Sequence, residues 1–229
     1  MRKSLTLSCI FAMLSFMTLN AQMTLKVGPE AGIGLSKFIG KFDGEKIEDQ
    51  KLGLGFKAGV ILDLGINDMI SIQPGVFFNR ITQNLDGETQ ITVNDQVAFH
   101  SKTEGSQNIN AVSVPVGVQF GFGSESKFFI GIGPQFDYFL TAKVKGTTTD
   151  LLNPDNAPVK TDEKVEWTDD DVRFNISGMV NAGYMMSNGL FIRASYAHGL
   201  TNFIKEGDSD NKINLTQIGV SIGYLFGGK

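Results

Sequence analysis

Cysteine is nearly absent from this sequence of 229 residues: the single one, Cys9, lies in an apolar segment near the N-terminus. It would carry a lipid only if the chain were cut just before it, and the apolar run continues well past that point. If this segment is removed as a leader, the remaining chain has no disulfide, so its stability must come from other interactions.

Long apolar runs are also missing beyond the N-terminus. The one such run, residues 5–19, has 15 residues and is short for a membrane-spanning helix. It follows Arg2 and Lys3 and ends before Ala21, which suits the amino side of a cleavage site. This layout predicts a cleaved signal peptide over residues 1–22 and a mature domain over residues 23–229. An uncleaved anchor helix is the alternative, but it would need a longer run.

Basic residues do not outnumber acidic ones. Without Arg2 and Lys3 the chain keeps 18 basic and 24 acidic residues, a net charge of −6. Nucleic-acid binding favours a basic face, so we expect no nucleic-acid partner. Histidine is scarce as well: His100 falls in a polar segment and His198 on the apolar phase of a predicted strand. Because no trio of nucleophile, base and orienting group is evident, we predict no catalytic residue and no enzymatic activity.

The sequence does contain repeated alternation of apolar with small or polar residues. In residues 212–226, for example, Val220 and Ile222 alternate with Ser221 and Gly223. Successive side chains of a strand point to opposite faces, so this segment predicts a strand with one apolar face. Seven more segments show the same pattern: 25–35, 52–65, 70–79, 112–122, 128–141, 172–184 and 190–201.

The connections between these eight segments alternate in length, long after the first segment and short after the second, throughout the chain. This order is typical of outer-membrane barrels, whose short turns are periplasmic and whose longer loops lie outside. The sequence therefore predicts an all-β fold: an eight-stranded antiparallel up-and-down transmembrane β-barrel of OmpA/OmpX-like size, in the outer membrane of a Gram-negative cell. A soluble sandwich is the alternative, but its strands are usually about 5–6 residues long.

Aromatic residues near both ends of the predicted strands favour the membrane barrel, because such barrels carry two interfacial girdles. The phase of the third strand blurs after Phe78, where Arg80 falls on the apolar side, and either a bulge or the strand leaving the membrane would explain this shift. The predicted girdles comprise Phe120, Phe122, Phe128, Tyr184, Tyr224 and Phe226 at the short-turn end, and Phe38, Phe78, Tyr138, Phe174 and Tyr196 at the long-loop end.

Charged and amide side chains occupy the face opposite the apolar one. An eight-stranded barrel is just wide enough for side chains to fill, so we expect these residues to form a plug of ion pairs and amides. A gated narrow pore or proton path is the alternative. The residues predicted to face the lumen are Lys26, Glu30, Lys57, Asp63, Asp137, Arg173 and Arg193, with Gln73, Gln119, Gln135, Asn175, Asn181 and Gln217.

The four long loops carry 19 acidic and 9 basic residues. Residues 169–171 and 208–211 are acidic enough to be considered for divalent cations, which take oxygen ligands. Neither segment has the spacing of a calcium-binding loop with its closing Glu. We therefore interpret them as solvated surface charge and predict no metal site and no cofactor.

Short motifs along the mature chain resemble those of the PorT-like outer-membrane β-barrel family of Bacteroidetes. The resemblance implies a small envelope barrel with a structural or interaction role, and its founding member links the family to protein secretion. A narrow channel or carrier for small solutes is the alternative. The partners expected are outer-membrane lipid, the barrel-assembly machinery and other envelope or secretion proteins, with the barrel itself a monomer. The motifs are Lys26-Val27-Gly28, Ser71-Ile72-Gln73-Pro74-Gly75, Val114-Pro115-Val116, Gly131-Ile132-Gly133-Pro134-Gln135, Gly199-Leu200-Thr201-Asn202 and Ile218-Gly219-Val220-Ser221-Ile222-Gly223-Tyr224-Leu225-Phe226.

Overall fold

The computed structural model describes residues 24–46, 50–124, 126–153, 155–168 and 171–227. The predicted signal peptide and Cys9 lie outside these residues. The described part consists of β-strands and their connections. The strands are β1 (Thr24–Phe42), β2 (Glu45–Lys46), β3 (Gln50–Gly65), β4 (Ile70–Val93), β5 (Gln96–Phe122), β6 (Lys127–Asp150), β7 (Val159–Val165), β8 (Phe174–Met185), β9 (Leu190–Gly199) and β10 (Lys212–Tyr224).

Eight of these strands form a closed antiparallel ring. The order around it is β10-β9-β8-β6-β5-β4-β3-β1, and β10 pairs with β1 to close it. In that seam Ile33 lies opposite Val220, so the last predicted strand meets the first. β2 and β7 lie outside the ring and pair with β1 and β6. The predicted eight-stranded barrel is confirmed, and every strand edge in its wall is paired, as a structure in lipid requires.

The seam between β1 and β10 depends on a glycine. A side chain at Gly28 would place its Cβ 1.6 Å from the carbonyl oxygen of Tyr224, far inside van der Waals contact. Two hydrogen bonds between the main chains of Val27 and Phe226 lie directly beside this point. The absence of a Cβ at residue 28 therefore allows the two strands to approach closely enough to close the ring.

The outer wall of the ring is apolar. Leu54 and Ile33 are 64% and 62% exposed, and apolar side chains continue around all eight strands. An apolar surface of this extent is incompatible with water and fits a lipid environment. Among the described residues, no helix is long and apolar enough to cross a membrane.

The predicted girdle residues lie on this wall, with one exception. Phe120, Phe122, Phe128 and Phe226 lie on the outside near the short turns, and Phe78, Phe174 and Tyr196 lie there near the long loops. Phe38 is only 9% exposed and packs inside the barrel. The prediction for Phe38 is wrong because β1 continues past residue 35, so its alternation carries Phe38 to the inner face.

Strands occupy much of three segments predicted as loops, residues 36–51, 86–108 and 146–171. β4, β5 and β6 continue beyond the barrel and, together with β7, form a sheet extension made of residues 86–93, 96–104, 143–150 and 159–165. β4 and β5 are joined at Asn94 and Asp95, which have φ of 50° and 60°. A two-residue hairpin turn with both residues left-handed matches the twist of its strands, and Asn and Asp tolerate that conformation. His100, predicted in a loop, therefore lies on β5.

Two register shifts mark where the wall ends at the long-loop side. The pairing of β3 with β4 shifts between Leu52 and Phe56, directly opposite the region of Arg80, and a bulge there is one of the two explanations that the sequence offers for the phase of Arg80. The pairing of β5 with β6 shifts between Asn110 and Ala111. This second shift reverses the phase of β6, so Thr141, predicted to face the lumen, is exposed, while Phe139 and Ala142 are buried.

Candidate functional site

The inside of the barrel is the candidate functional site, because its polar side chains converge there from strands far apart in the sequence. Alternation along each strand places Glu30, Asp63, Asp137 and Arg193 in the lumen, where each is at most 7% exposed. Charges this deeply buried need ion or hydrogen-bond partners, since an unpaired one would be strongly destabilising. The partners they take define the site.

Glu30 forms the centre of an ion cluster. Its carboxylate lies 2.9 Å from Nη1 of Arg193 and 3.0 Å from Nζ of Lys57. It also accepts a hydrogen bond of 2.6 Å from the hydroxyl of Ser221. One buried acid is thus held by two cations and a hydroxyl from three other strands, and the cluster carries one excess positive charge.

The cluster continues toward the short-turn end through amides and rings. Nη2 of Arg193 donates to Oε1 of Gln73 at 2.7 Å, and Nε2 of Gln73 donates to Asp63 at 3.0 Å. The guanidinium of Arg193 also lies over the rings of Phe191 and Phe129, at 5.1 and 5.5 Å from their centroids. Arg193 is therefore fixed by charge, hydrogen bonds and cation–π contacts together.

Asp137 forms a second network that contains no cation among the described residues. Its carboxylate accepts hydrogen bonds from the hydroxyl of Ser113 at 2.5 Å and from the amides of Gln135 and Asn175 at 2.9 Å. Asp137 is fully buried, so these neutral donors replace the water around its carboxyl group.

The Asp137 network extends across the barrel. Asn79 on β4 donates to the hydroxyl of Ser113 on β5 at 3.1 Å and to Oε1 of Gln217 on β10 at 3.0 Å. Side chains from β4, β5, β6, β8 and β10 thus meet in one polar layer. This layer lies in the same lumen as the Glu30 cluster.

Arg193 separates two small cavities. The first, of about 60 Å³, is lined by Lys57, Asn79, Gln217 and Arg193 among others. The second, of about 70 Å³, lies toward the short-turn end and is lined by Lys26, Asp63 and again Arg193. Each is large enough for a few water molecules, because one water needs about 10–15 Å³ of such space.

Apolar side chains close the lumen near both ends. At the long-loop end the buried layer comprises Phe38, Ile81, Ile109, Ala111, Phe139, Ala142 and Leu215. Toward the short-turn end it comprises Ile61, Phe77, Phe129, Phe191 and Leu225. The sequence predicts a plug of ion pairs and amides but not these layers. Phe139 lies two residues after Asp137, and Phe191 lies two residues before Arg193. The alternation of side chains along a strand would therefore have placed both rings inside the barrel.

Not every predicted lumen residue joins a network. Arg173 lies at the long-loop rim, where its guanidinium donates to the carbonyl oxygen of Phe139 and lies over Trp167. Gln119 and Asn181 are buried in the lumen with side-chain atoms that lack hydrogen-bond partners among the described residues. Lys26 is half-buried and lines the cavity at the short-turn end.

The histidines lie on different surfaces. His198 is on the outward phase of β9, and its Nδ1 lies 3.2 Å from the hydroxyl of Thr216 on β10. His100 is on the sheet extension, 3.6 Å from the carboxylate of Glu88. The two rings are therefore not parts of one site.

The acidic loop residues that the structure describes are used in local turns. Asp208 accepts hydrogen bonds from the N–H groups of Asn211 and Asp210, and these bonds, that of Asn211 first, lower the pKa of its carboxyl. Of residues 169–171, only Asp171 is among the described residues. Within the described ranges, no three His, Cys, Asp or Glu side chains form a group that would hold a metal ion.

Comparison with solved structures finds small outer-membrane barrels. Ail, the attachment invasion locus protein of Yersinia pestis, is 16% identical over 88% of this chain and 99% of its own, with a TM-score of 0.39. Neisserial surface protein A is 10% identical over 87% and 97%, with a TM-score of 0.38. The outer membrane enzyme PagL is 11% identical over 83% and 98%, with a TM-score of 0.39. Likenesses this weak carry no information about function.

No curated protein matches the sequence. A family model described as the outer membrane protein beta-barrel domain matches residues 20–205, which is most of the chain. The match agrees with the closed ring, the apolar outer wall and the polar lumen. The chain therefore belongs to the outer membrane protein beta-barrel domain family and is an outer-membrane protein.

Proposed function

We propose that this protein is a closed barrel with a structural or interaction role in the cell envelope. The observation that carries the proposal is the blocked lumen: two apolar layers and the Glu30 cluster lie across its axis. A barrel filled in this way does not offer a solute path, so its exposed surfaces are where it acts. The lipid around the wall and the barrel-assembly machinery are its general partners.

The sheet extension is the part of the molecule that we propose to meet a specific partner. By the convention of outer-membrane barrels, the long-loop end lies outside the cell. Among the described residues, the outer edge of β4 beyond residue 85 and the outer edge of β7 pair with no other strand, and apolar residues such as Ile91 and Phe99 are about half exposed on the extension. The resemblance to PorT-like barrels of Bacteroidetes supports a secretion protein as that partner.

A deletion strain complemented with defined variants tests this role. One variant replaces residues 86–104 with an Asn-Gly turn, and the other is the intact protein. We expect both to assemble, as judged by faster gel migration of unboiled samples, while only the intact protein restores protein secretion. Equal restoration by the truncated variant would contradict a role for the extension.

A narrow gated channel is a second candidate, supported by the position of Arg193. This residue alone among the charged ones lines both cavities, and its Nε has no hydrogen-bond partner among the described residues. If its side chain moved, Glu30 would keep Lys57 at 3.0 Å as a counter-charge. Recordings in planar bilayers decide between the candidates: a plug gives no discrete events, whereas reproducible openings that become longer in Arg193→Ala support the channel.

We propose no enzymatic activity. The partners of the two histidines support this: His198 meets a hydroxyl, that of Thr216, on the outward face of the wall, and His100 meets a carboxylate, and neither contact makes a trio of nucleophile, base and orienting group within the described residues. Replacing both histidines with Ala is expected to leave envelope integrity unchanged in the complemented strain. Loss of integrity in a variant that assembles normally would contradict it.

A further inference from the structure

A third cavity, at the long-loop mouth, is built differently from the two in the lumen. It has a volume of about 310 Å³, and we call it the outer aromatic pocket. Its size is at the lower end of the range for small-molecule sites, roughly 300–1,000 Å³. Its lining includes Phe38, Gln83, Phe139, Trp167, Asp171 and Phe203.

The walls of the pocket are held in place by ring contacts. Phe203 packs edge-on against Phe38 at 5.1 Å and stacks on Phe139 at 5.6 Å between centroids. Phe139 also stacks on Trp167 at 6.3 Å, and the guanidinium of Arg173 lies over Trp167. Rings that support one another in this way form a pocket that exists before any ligand arrives.

Two polar atoms in the lining residues lack partners. Oε1 of Gln83 and Nε1 of Trp167 are buried and make no hydrogen bond within the described part of the chain. Gln83 is only 3% exposed, so water does not readily reach its side chain to form a hydrogen bond. A buried acceptor and a buried donor left unpaired are destabilising, and a ligand that pairs with both would recover that loss.

The pocket does not lead into the lumen. None of its lining residues borders either lumen cavity, and the buried layer that includes Ile81 and Leu215 lies between them. A molecule in this pocket is therefore bound at the outer mouth and not conducted. Binding in this pocket therefore does not depend on the role proposed for the sheet extension.

We propose that the outer aromatic pocket binds a small planar, mostly apolar molecule that carries one hydrogen-bond acceptor and one donor. Its acceptor pairs with Nε1–H of Trp167, and its donor pairs with Oε1 of Gln83. Asp171 excludes anions: the N–H and hydroxyl of Thr168 lower the pKa of its carboxyl, which keeps a negative charge at the pocket.

Trp167 is the only tryptophan in the sequence, so its fluorescence reports on this pocket alone. The test titrates benzamide into the purified protein in detergent, because benzamide combines a flat ring with a carbonyl acceptor and an amide donor. We expect a saturable change in emission with a dissociation constant of about 1 mM or tighter. Benzoate, equal in shape but anionic, and ethylbenzene, which lacks polar atoms, are expected to bind at least about tenfold more weakly.

Gln83→Leu removes the buried acceptor and is expected to weaken benzamide binding about five- to tenfold. Gln119→Leu is the matched control: Gln119 is equally buried and also has an unpartnered Oε1, but it lies at the short-turn end. It should bind benzamide as the unaltered protein does. If Gln83→Leu does not fold, calorimetry on Trp167→Phe, which removes the donor, provides the same comparison.

Three results would overturn the proposal. One is the absence of a saturable response to benzamide. Another is equal affinity for benzamide, benzoate and ethylbenzene, which would indicate partition into detergent. The third is unchanged affinity in folded Gln83→Leu or Trp167→Phe, measured by calorimetry.

Discussion

Two acids in different regions of this protein have nearly the same partners and opposite surroundings. In the lumen, Glu30 lies between Lys57 and Arg193, and its side chain is fully buried. On the sheet extension, Asp162 lies between Lys143 and Lys145, and its side chain is 55% exposed. Each is one carboxylate held by two cations within 4 Å.

Ion clusters of similar geometry can therefore differ widely in how much they stabilise the fold. Water and salt screen an exposed pair, which contributes little, whereas loss of one partner from a buried cluster leaves charge without compensation. Lumen charges are therefore expected to determine whether the barrel is stable, and the extension charges mainly to keep its strands soluble and separate. Four substitutions test this difference, in order of decreasing effect.

Glu30→Gln is expected to have the largest effect. It keeps the shape of the side chain but leaves the buried Arg193 and the half-buried Lys57 without the carboxylate that lies between them. We expect the free energy of unfolding to fall by about 3–5 kcal/mol, measured by urea titration of protein refolded into lipid vesicles. Adding Arg193→Met should recover part of the loss; no recovery would mean that the cluster is not the cause.

Val220→Arg tests the outer wall in place of the lumen. Val220 is 49% exposed on the apolar side of β10, opposite Ile33 and Ala194. A cation facing lipid near the middle of a barrel wall is expected to destabilise by about 2–4 kcal/mol. Val220→Leu is the control and should assemble normally, as shown by gel migration without boiling. Normal assembly of Val220→Arg would show that this face does not meet lipid.

Ser221→Ala is expected to have an intermediate effect. From the alternation alone Ser221 is a small lumen residue that tolerates change, but its hydroxyl donates to Glu30 at 2.6 Å. Loss of a hydrogen bond to a buried charge should lower the free energy of unfolding by about 1.5 kcal/mol while assembly continues.

Ser195→Ala is the matched control for this substitution. Ser195 also lines the lumen from the neighbouring strand, without a hydrogen-bond partner among the described residues. Equal stability losses for both variants, in the same urea titration, would contradict the assigned contact.

Alternation in the sequence predicts most of the barrel wall, because lipid and lumen impose a period of two on every strand. It does not predict which lumen residues pair. Arg193 and Glu30 are 163 positions apart, and their contact depends on how far each strand is staggered against the next. That stagger is set by the whole ring and not by any local pattern.

The sheet extension is not predicted for a different reason. Both of its faces meet water, so polar residues occupy both phases and the period of two disappears: Glu88 and Lys102 lie on one face, and Thr89 and Thr103 lie on the other. The pair Asn94-Asp95 is the remaining sequence signal for a hairpin there, because both residue types tolerate the left-handed conformation of a tight turn. The prediction for Phe38 is wrong because β1 continues beyond the predicted strand, and the prediction for Thr141 is wrong because a register shift changes the face on which it lies.

Asp162→Asn is expected to have the smallest effect. Hydrogen bonding to Lys143, together with the charges of Lys143 and Lys145, lowers the pKa of Asp162 in the folded protein. A lowered pKa means that the ionised acid favours the folded state above the unfolded pKa, about 3.9, and that this contribution is lost as the pH falls through the folded value. The substitution should therefore slightly speed hydrogen exchange of β7 amides at pH 7, and the difference from the unaltered protein should disappear as the pH falls through the folded pKa, after correction for intrinsic rates. A loss of stability as large as that of Glu30→Gln would show that exposure does not weaken this pair, and the distinction between the two regions would fail.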